Sequence, residues 1–349
     1  MKICEQCFED EVINELIKKN GKIGNCSFCK ASHKKTIAIE NEELKDYFGA
    51  LLDLYITFEN ESDDSSSEGE LLKTILKNDW NIFSEKIDPA SIEKILRKIL
   101  PEREKLYSKK VKILIKKDYD ELSIFKNSQW KKFVKEIKEE NRFHTDIFDT
   151  DNFGYFLSRL SVNLKRGEIL YRGRISTSEG YKKEEMGTPP LGKSSDGRIN
   201  PKGIGCLYLA DDKDTILLEM RVLKNDFITI GKFKLKNDIT IVDLTKLTKL
   251  SPFFDLDNLL KHGINQKYLK EIAEEISRPQ NRENNSLDYL PSQYISELIK
   301  KLGFAGIKYE STVKDSGVNY AIFDEKNFIC KEVKVYKIKE MTCTTEKIK

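Results

Sequence analysis

Histidine is nearly absent: His33, His144 and His262 are the only three in a chain of 349 residues. No two of them have the spacing of an H-E-x-x-H zinc helix. Three scattered imidazoles also give little footing for Ser-His-Asp or Cys-His catalysis. A dinucleotide-type glycine turn is missing, because Gly203-x-Gly205 breaks off at Tyr208, where G-x-G-x-x-G needs another glycine. Net charge is scarce: 61 Lys and Arg against 58 Asp and Glu leave +3. That balance neutralises few phosphates and argues against nucleic acid as a partner. No apolar run approaches membrane-spanning length, and the opening M-K-I-C-E-Q-C lacks a signal-peptide core, so we expect a cytoplasmic protein with no membrane partner. Whatever chemistry occurs here must be built from Arg, Tyr, Glu and Ser.

What is present begins with cysteine. Cys4-x-x-Cys7 and Cys26-x-x-Cys29 are separated by 18 residues, the spacing of a four-cysteine zinc site. Four thiolates close a tetrahedral sphere, so the expected Zn2+ is structural, with no open position for a reacting water. Between the pairs, Val12, Ile13, Leu16 and Ile17 form the apolar side of a short helix ending near Gly21. Residues 1–40 thus read as a zinc-binding module. Residues 42–58 are patterned as an amphipathic helix, and 59–70 are acidic and Ser-rich, as a mobile loop would be. From 71 to 142 the pattern is again helical, with Ile92, Ile95, Leu96 and Ile99 on one face and Trp130, Phe133, Val134 and Ile137 on another. We read 41–150 as a helical bundle domain. The local R-F-H at Arg142 to His144 lacks the Arg–His spacing of a ribonuclease site.

A second domain spans 151–340, followed by a polar tail at 341–349. It opens with a helix and then E-I-L-Y-R-G-R as a strand, which puts Arg172 and Arg174 on one strand face. Residues 179–197 read as a loop. Asn200-Pro201 and Gly203 then make a turn, Gly203 to Ala210 a buried strand, and Asp211 or Asp212 the cap of a helix through Arg221. On that helix Ile216, Met220 and Leu223 share a face, with Glu219 at its edge. Two more strands follow, then helical material from about 253 to 277. Ser292 is placed to cap a helix closed by Gly303, and strands near 305–310, 319–323 and 330–338 complete an α+β fold.

The ordered set R-I-N-P-x-G-x-x-x-L-Y-L-A and L-L-E resembles the RES domain; Arg198 and Glu219 stand 21 positions apart within it. Pro291-Ser292-Gln293, then Gly303 to Ile307, Tyr309-Glu310-Ser311 and N-Y-A-I-F at Asn319 to Phe323 resemble its later blocks. The four-cysteine and helical region resembles the N-terminal region of HEPN/RES proteins. The resemblance implies a mixed β-sheet domain similar to ADP-ribosyltransferases, and a toxin or phage-defence enzyme that consumes NAD+ by hydrolysis or phosphorolysis. Arg198, Tyr208, Glu219 and Ser311 match the catalytic positions. Arg172, Arg174, Asn200, Gly203, Ser292, Gln293 and Asn319 are implied to bind NAD+, with Ser292 a rival to Ser311 for the family serine. The chain departs from compact RES toxins by its long N-terminal region and an insertion before Ser292.

These groups suit cleavage of the nicotinamide–ribose bond. Nicotinamide leaves as a neutral base, and the sugar becomes oxocarbenium-like, which a fixed carboxylate stabilises. The partners admitted are NAD+, inorganic phosphate, an antitoxin or regulatory protein, and a second copy of the chain. Two other readings stay open: an ADP-ribosyltransferase acting on a macromolecule, and a zinc-dependent nucleic-acid-binding module with an inert second domain.

Overall fold

The computed structural model describes residues 1–58, 69–114, 119–126, 130–190, 192–278, 286–314 and 316–340. Most of the acidic stretch (59–68) and the tail 341–349 therefore lie outside the described residues. The chain divides into two compact units, Met1–Asn127 with Lys246–Lys270, and Ser128–Thr245 with Glu271–Lys349. Lys246–Lys270, placed by sequence within the second domain, thus joins the first unit.

Helices in the first unit start where a side chain can take an orphan backbone N–H. Asp10 accepts from Ile13 ahead of Glu11–Asn20, and Asn41 from Leu44 ahead of Glu42–Leu52. Asp88 accepts from Ser91 ahead of Pro89–Ile99, where Pro89 needs no N–H of its own. Ile92, Ile95, Leu96 and Ile99 are all buried, each side chain contributing about 1.5–3 kcal/mol by leaving water. The unit is more than a bundle, however. Lys2–Cys4, Lys34–Ala38 and Lys22–Gly24 form one antiparallel sheet, and Tyr55–Thr57, Lys110–Ile113 and Glu70–Leu71 another. The helix expected over 42–58 stops at Leu52. The β-forming triplet Tyr-Ile-Thr instead pairs with Val111 to Ile113, and the Tyr55 hydroxyl accepts from Trp80 Nε1 at 2.7 Å.

The second unit is built on an eight-stranded sheet. Its spatial order is Phe328–Lys337, Phe227–Leu235, Ile169–Ser176, Leu207–Ala210, Val318–Ile322, Gly306–Glu310, Ile239–Asp243 and Ser161–Leu164. Only Ile239–Asp243 and Gly306–Glu310 run parallel; every other pairing is antiparallel, so the sheet is mixed. Residues paired across antiparallel strands share a face, and neighbours along a strand alternate. Tyr309 pairs with Asn319, Asn319 with Ala210, Ala210 with Tyr171, and Tyr208 with Ala321. These residues therefore line one face. Leu170, Leu207, Leu209, Phe233, Tyr320 and Ile322 pack together on the other.

The helix Lys213–Glu219 lies on the first face, directly over Gly173. A Cβ added there would meet Ile216 Cγ2 at 2.3 Å and Met220 Sδ at 2.4 Å. The helix Leu290–Lys301 packs against the strand Gly306–Glu310 and, through Tyr294, against Phe133 and Phe148.

Candidate functional site

Glu219 ends a short helix whose start is fixed by Asp212. That carboxylate accepts from Thr215 N and Thr215 Oγ1, both at 2.8 Å, and pairs with Lys314 Nζ at 2.7 Å. At the far end, Glu219 Oε1 accepts from Ser311 Oγ at 2.7 Å and from Asn319 Nδ2 at 2.6 Å. Asn319 is buried, while Glu219 reaches the surface. Oε2 has no hydrogen-bond partner among the described residues. The result is a carboxylate held through one oxygen by two donors from strands far away in sequence, with its second oxygen available.

Arg198, Asn200, Gly203 and Tyr208 belong to a second, tightly bonded cluster. Asn200 is buried; its Nδ2 donates to Ser195 O at 3.0 Å and Ile204 O at 2.9 Å, and its Oδ1 accepts from the Tyr208 hydroxyl at 2.6 Å. Gln293 Nε2 donates to Asp196 Oδ1 at 2.6 Å and Gly197 O at 2.7 Å. Gly203 has φ +89°, a conformation glycine adopts without strain, and its N–H donates to Ser194 O at 2.9 Å. Asn200, Gln293 and Gly203 thus shape the loop. Burial pushes the Tyr208 phenol well above its ordinary range.

Arg198 donates through Nη1 to Ile276 O and through Nη2 to Arg278 O, at the carbonyl end of a helix, where a cation is favoured. A guanidinium has five N–H groups, so these two bonds leave donors for a ligand.

Ser292 is not a helix cap. Tyr289 precedes the helix, Pro291 fills its first turn, and the Ser292 hydroxyl donates to Arg198 O at 2.8 Å and Tyr289 O at 3.1 Å. A proline lacking an N–H needs no cap at that point, which releases the serine to brace the Arg198 backbone.

Arg172 and Arg174 leave their strand on the face opposite Tyr171 and Asn319. Arg172 Nη1 reaches Tyr208 O at 3.2 Å, its Nε is buried without a partner, and burial beside Arg174 lowers its pKa to about 10. Arg174 instead stacks on the Tyr181 ring, 4.2 Å from its centroid, and donates to Glu185 O. The structure therefore gathers Glu219, Ser311 and Asn319 in one group, and Arg198, Asn200, Gly203, Tyr208, Ser292 and Gln293 in a neighbouring one. Arg174 is turned elsewhere.

Tyr309, which sequence reading left out of the site, feels both groups. Burial first, then the Glu219 charge, raise its phenol, and the Arg198 charge opposes them. No sequence spacing announces this residue; its signal is the register that sets it opposite Asn319.

Gly187 to Ser194 spell G-T-P-P-L-G-K-S, a phosphate-loop string that sequence reading passed over. A phosphate loop joins a strand to a helix and aims free amides at the anion. Here the segment follows the 3-10 turn Lys183–Met186, and the next helix begins only at Lys213. The Gly192 and Lys193 amides are already bonded to Gly203 O and Pro190 O. The described residues of the string thus lack the strand-to-helix setting of a phosphate loop.

In the first unit the Sγ atoms of Cys4, Cys7, Cys26 and Cys29 all lie within 4.8 Å of one another. Cys4–Cys29 and Cys7–Cys26 are 3.4 Å apart and Cys4–Cys7 3.9 Å. Tetrahedral zinc–thiolate bonds of about 2.3 Å place sulfurs about 3.8 Å apart. Phe28 N also points at Cys26 Sγ, 3.4 Å away, a donor suited to a thiolate. Burial pushes the Cys4 thiol up to about 12, and the bond between Cys7 and Cys26 pushes Cys7 up and Cys26 down to about 4, so protonated and charged sulfurs crowd together. A divalent cation relieves both problems, and the cluster could hold one.

No curated protein matches the chain. Among solved structures, it is similar to one from the M. tuberculosis MbcT–MbcA toxin–antitoxin complex, at 11% identity and a TM-score of 0.31, over 53% of this chain and 91% of that one. It is also similar to an anti-CRISPR protein at 15% identity and a TM-score of 0.21, over 52% of this chain and 98% of that one. Family models match more directly: the RES domain over residues 171–344 and the HEPN/RES N-terminal domain 1 over residues 19–151. The chain belongs to the RES-domain family, with a HEPN/RES N-terminal domain ahead of its RES domain.

Proposed function

We propose that the protein cleaves the nicotinamide–ribose bond of NAD+ and thereby depletes it, as a toxin or defence effector. The observation that carries this reading is the Glu219 carboxylate, fixed by Ser311 and Asn319 with Oε2 left over, on the sheet face that also presents Tyr208 and Tyr309. A carboxylate held in advance stabilises the positive ribose of the transition state without reorganising during the reaction.

The bond between ribose C1′ and the pyridinium nitrogen breaks with its electron pair going to the ring, so nicotinamide departs neutral and needs no acid. The acceptor oxygen then bonds to C1′. Water gives ADP-ribose, and its proton leaves toward Glu219 Oε2; inorganic phosphate gives the 1″-phosphate of ADP-ribose. Arg198 supplies its remaining N–H groups to the pyrophosphate, as a guanidinium fork does well. The Tyr208 hydroxyl is committed to Asn200, which leaves its ring to stack. Ser311 exchanges its bond to Glu219 for a ribose hydroxyl or the acceptor. The Cys4, Cys7, Cys26 and Cys29 site holds a structural zinc in this reading.

An enzyme that drains NAD+ requires restraint, so an antitoxin or regulatory partner belongs to the proposal. The test is a time course of purified protein with NAD+, with and without phosphate, with products resolved chromatographically. Nicotinamide with ADP-ribose or its phosphate supports depletion. Label from NAD+ appearing on macromolecules in extract would instead establish transfer.

A further inference from the structure

Tyr309 is the last residue but one of the strand Gly306–Glu310, opposite Asn319, and leaves the sheet on the face that carries Tyr208 and Asn319. Two residues further on, Ser311 holds the same Glu219 oxygen that Asn319 holds. The Tyr309 ring therefore lies among the residues that fix the carboxylate, and its phenol also responds to the charge of Arg198.

The residue is half-buried, and its hydroxyl has no hydrogen-bond partner among the described residues. Tyr208, on the same sheet face, is committed instead: its hydroxyl donates to Asn200 Oδ1. A half-buried hydroxyl on the site face, uncommitted to any protein acceptor, is available to a ligand atom.

We propose that Tyr309 is a substrate-contacting residue whose hydroxyl donates to an oxygen of the ribose–phosphate stretch running between Glu219 and Arg198. The proposal rests on the reading of the site given above. Burial and the Glu219 charge keep the phenol protonated at neutral pH, so it is a donor there. Glu219 supplies acceptors and Arg198 only donors, and a sugar-phosphate, rich in both hydroxyls and acceptor oxygens, satisfies all three.

Tyr309→Phe removes one oxygen and keeps the ring. The experiment titrates ADP-ribose calorimetrically into full-length wild type, Tyr309→Phe and Tyr208→Phe, with thermal unfolding and NAD+ kinetics alongside. Tyr309→Phe should weaken ADP-ribose binding and lower kcat/KM for NAD+ by about 5- to 10-fold. Its unfolding midpoint should stay level or rise, because no intramolecular bond is lost. Tyr208→Phe, which loses the bond to Asn200, should unfold at lower temperature. Undiminished ADP-ribose affinity in Tyr309→Phe overturns the proposal, whatever its midpoint. ADP-ribose binding that depends on Tyr309, without NAD+ cleavage, would sink the reaction and leave the contact standing. A wild type that binds no ADP-ribose overturns the contact as well.

Discussion

Two donors on one carboxylate oxygen set a hierarchy at Glu219. Ser311→Ala and Asn319→Ala each remove a bond to a charged acceptor, worth about 1.5–3 kcal/mol, so each should lower kcat/KM for NAD+ by about 10- to 100-fold. Asn319 is buried between strands and Ser311 lies on a loop, so only Asn319→Ala should also lower the unfolding midpoint. Steady-state kinetics with thermal unfolding check both. Arg198, Glu219, Ser311 and Asn319 can all be singled out from the sequence because they match a family pattern. The bonds that join the last two to Glu219 cannot. Ser311 and Asn319 lie 92 and 100 positions from Glu219, and only strand register brings them to it. Ser292 shows the opposite failure: a serine near a helix start looks like a cap, but Pro291 beside it removes the need for one.

Strands were legible where β-branched and aromatic residues cluster, as in Phe227–Leu235 and Ile239–Asp243. Their order was not, because a sheet that places Val318–Ile322 beside Leu207–Ala210 leaves no local trace. The helix that carries Glu219 ends at Glu219 and not at Arg221, which has φ +49°. Leu223, expected on its apolar face, is 68% exposed. What seats this helix is Gly173, which reads in sequence only as the spacer of R-G-R. Gly173→Ala drives a methyl into Ile216 and Met220. We expect it to lower stability by about 1–3 kcal/mol, as overpacking does, and to reduce NAD+ turnover by lifting the Glu219 helix. Denaturant unfolding and kinetics on the variant check this. A variant of wild-type stability and activity would show that the helix is not seated there.

At the scale of the whole chain, composition and cysteine spacing marked an α+β protein with an N-terminal cysteine cluster. They were silent on the two small sheets of the first unit and on the return of Lys246–Lys270 to it. That returning segment carries His262, half-buried against Trp80 at 5.0 Å between ring centroids, and desolvation of the imidazole lowers its pKa to about 4. Between its unfolded value and about pH 4 the unfolded chain binds the extra proton. Acidification through that window should therefore remove up to about 3 kcal/mol of stability. Denaturant unfolding at pH 7 and 4.5 should show this loss in the wild type and a smaller one in His262→Gln. The cysteine cluster predicts one zinc per chain by elemental analysis, a lower unfolding midpoint after chelation, and loss of the metal in Cys26→Ser.

The central claim is that Glu219 supports cleavage of NAD+, and one measurement addresses it most directly. Wild type and Glu219→Gln, matched for folding by circular dichroism, are incubated with NAD+ and phosphate, and nicotinamide release is followed. Release by the wild type in step with NAD+ loss, falling by about 1,000-fold or more in the variant, is the predicted result. Equal turnover by both proteins, or none by the wild type, would contradict the account.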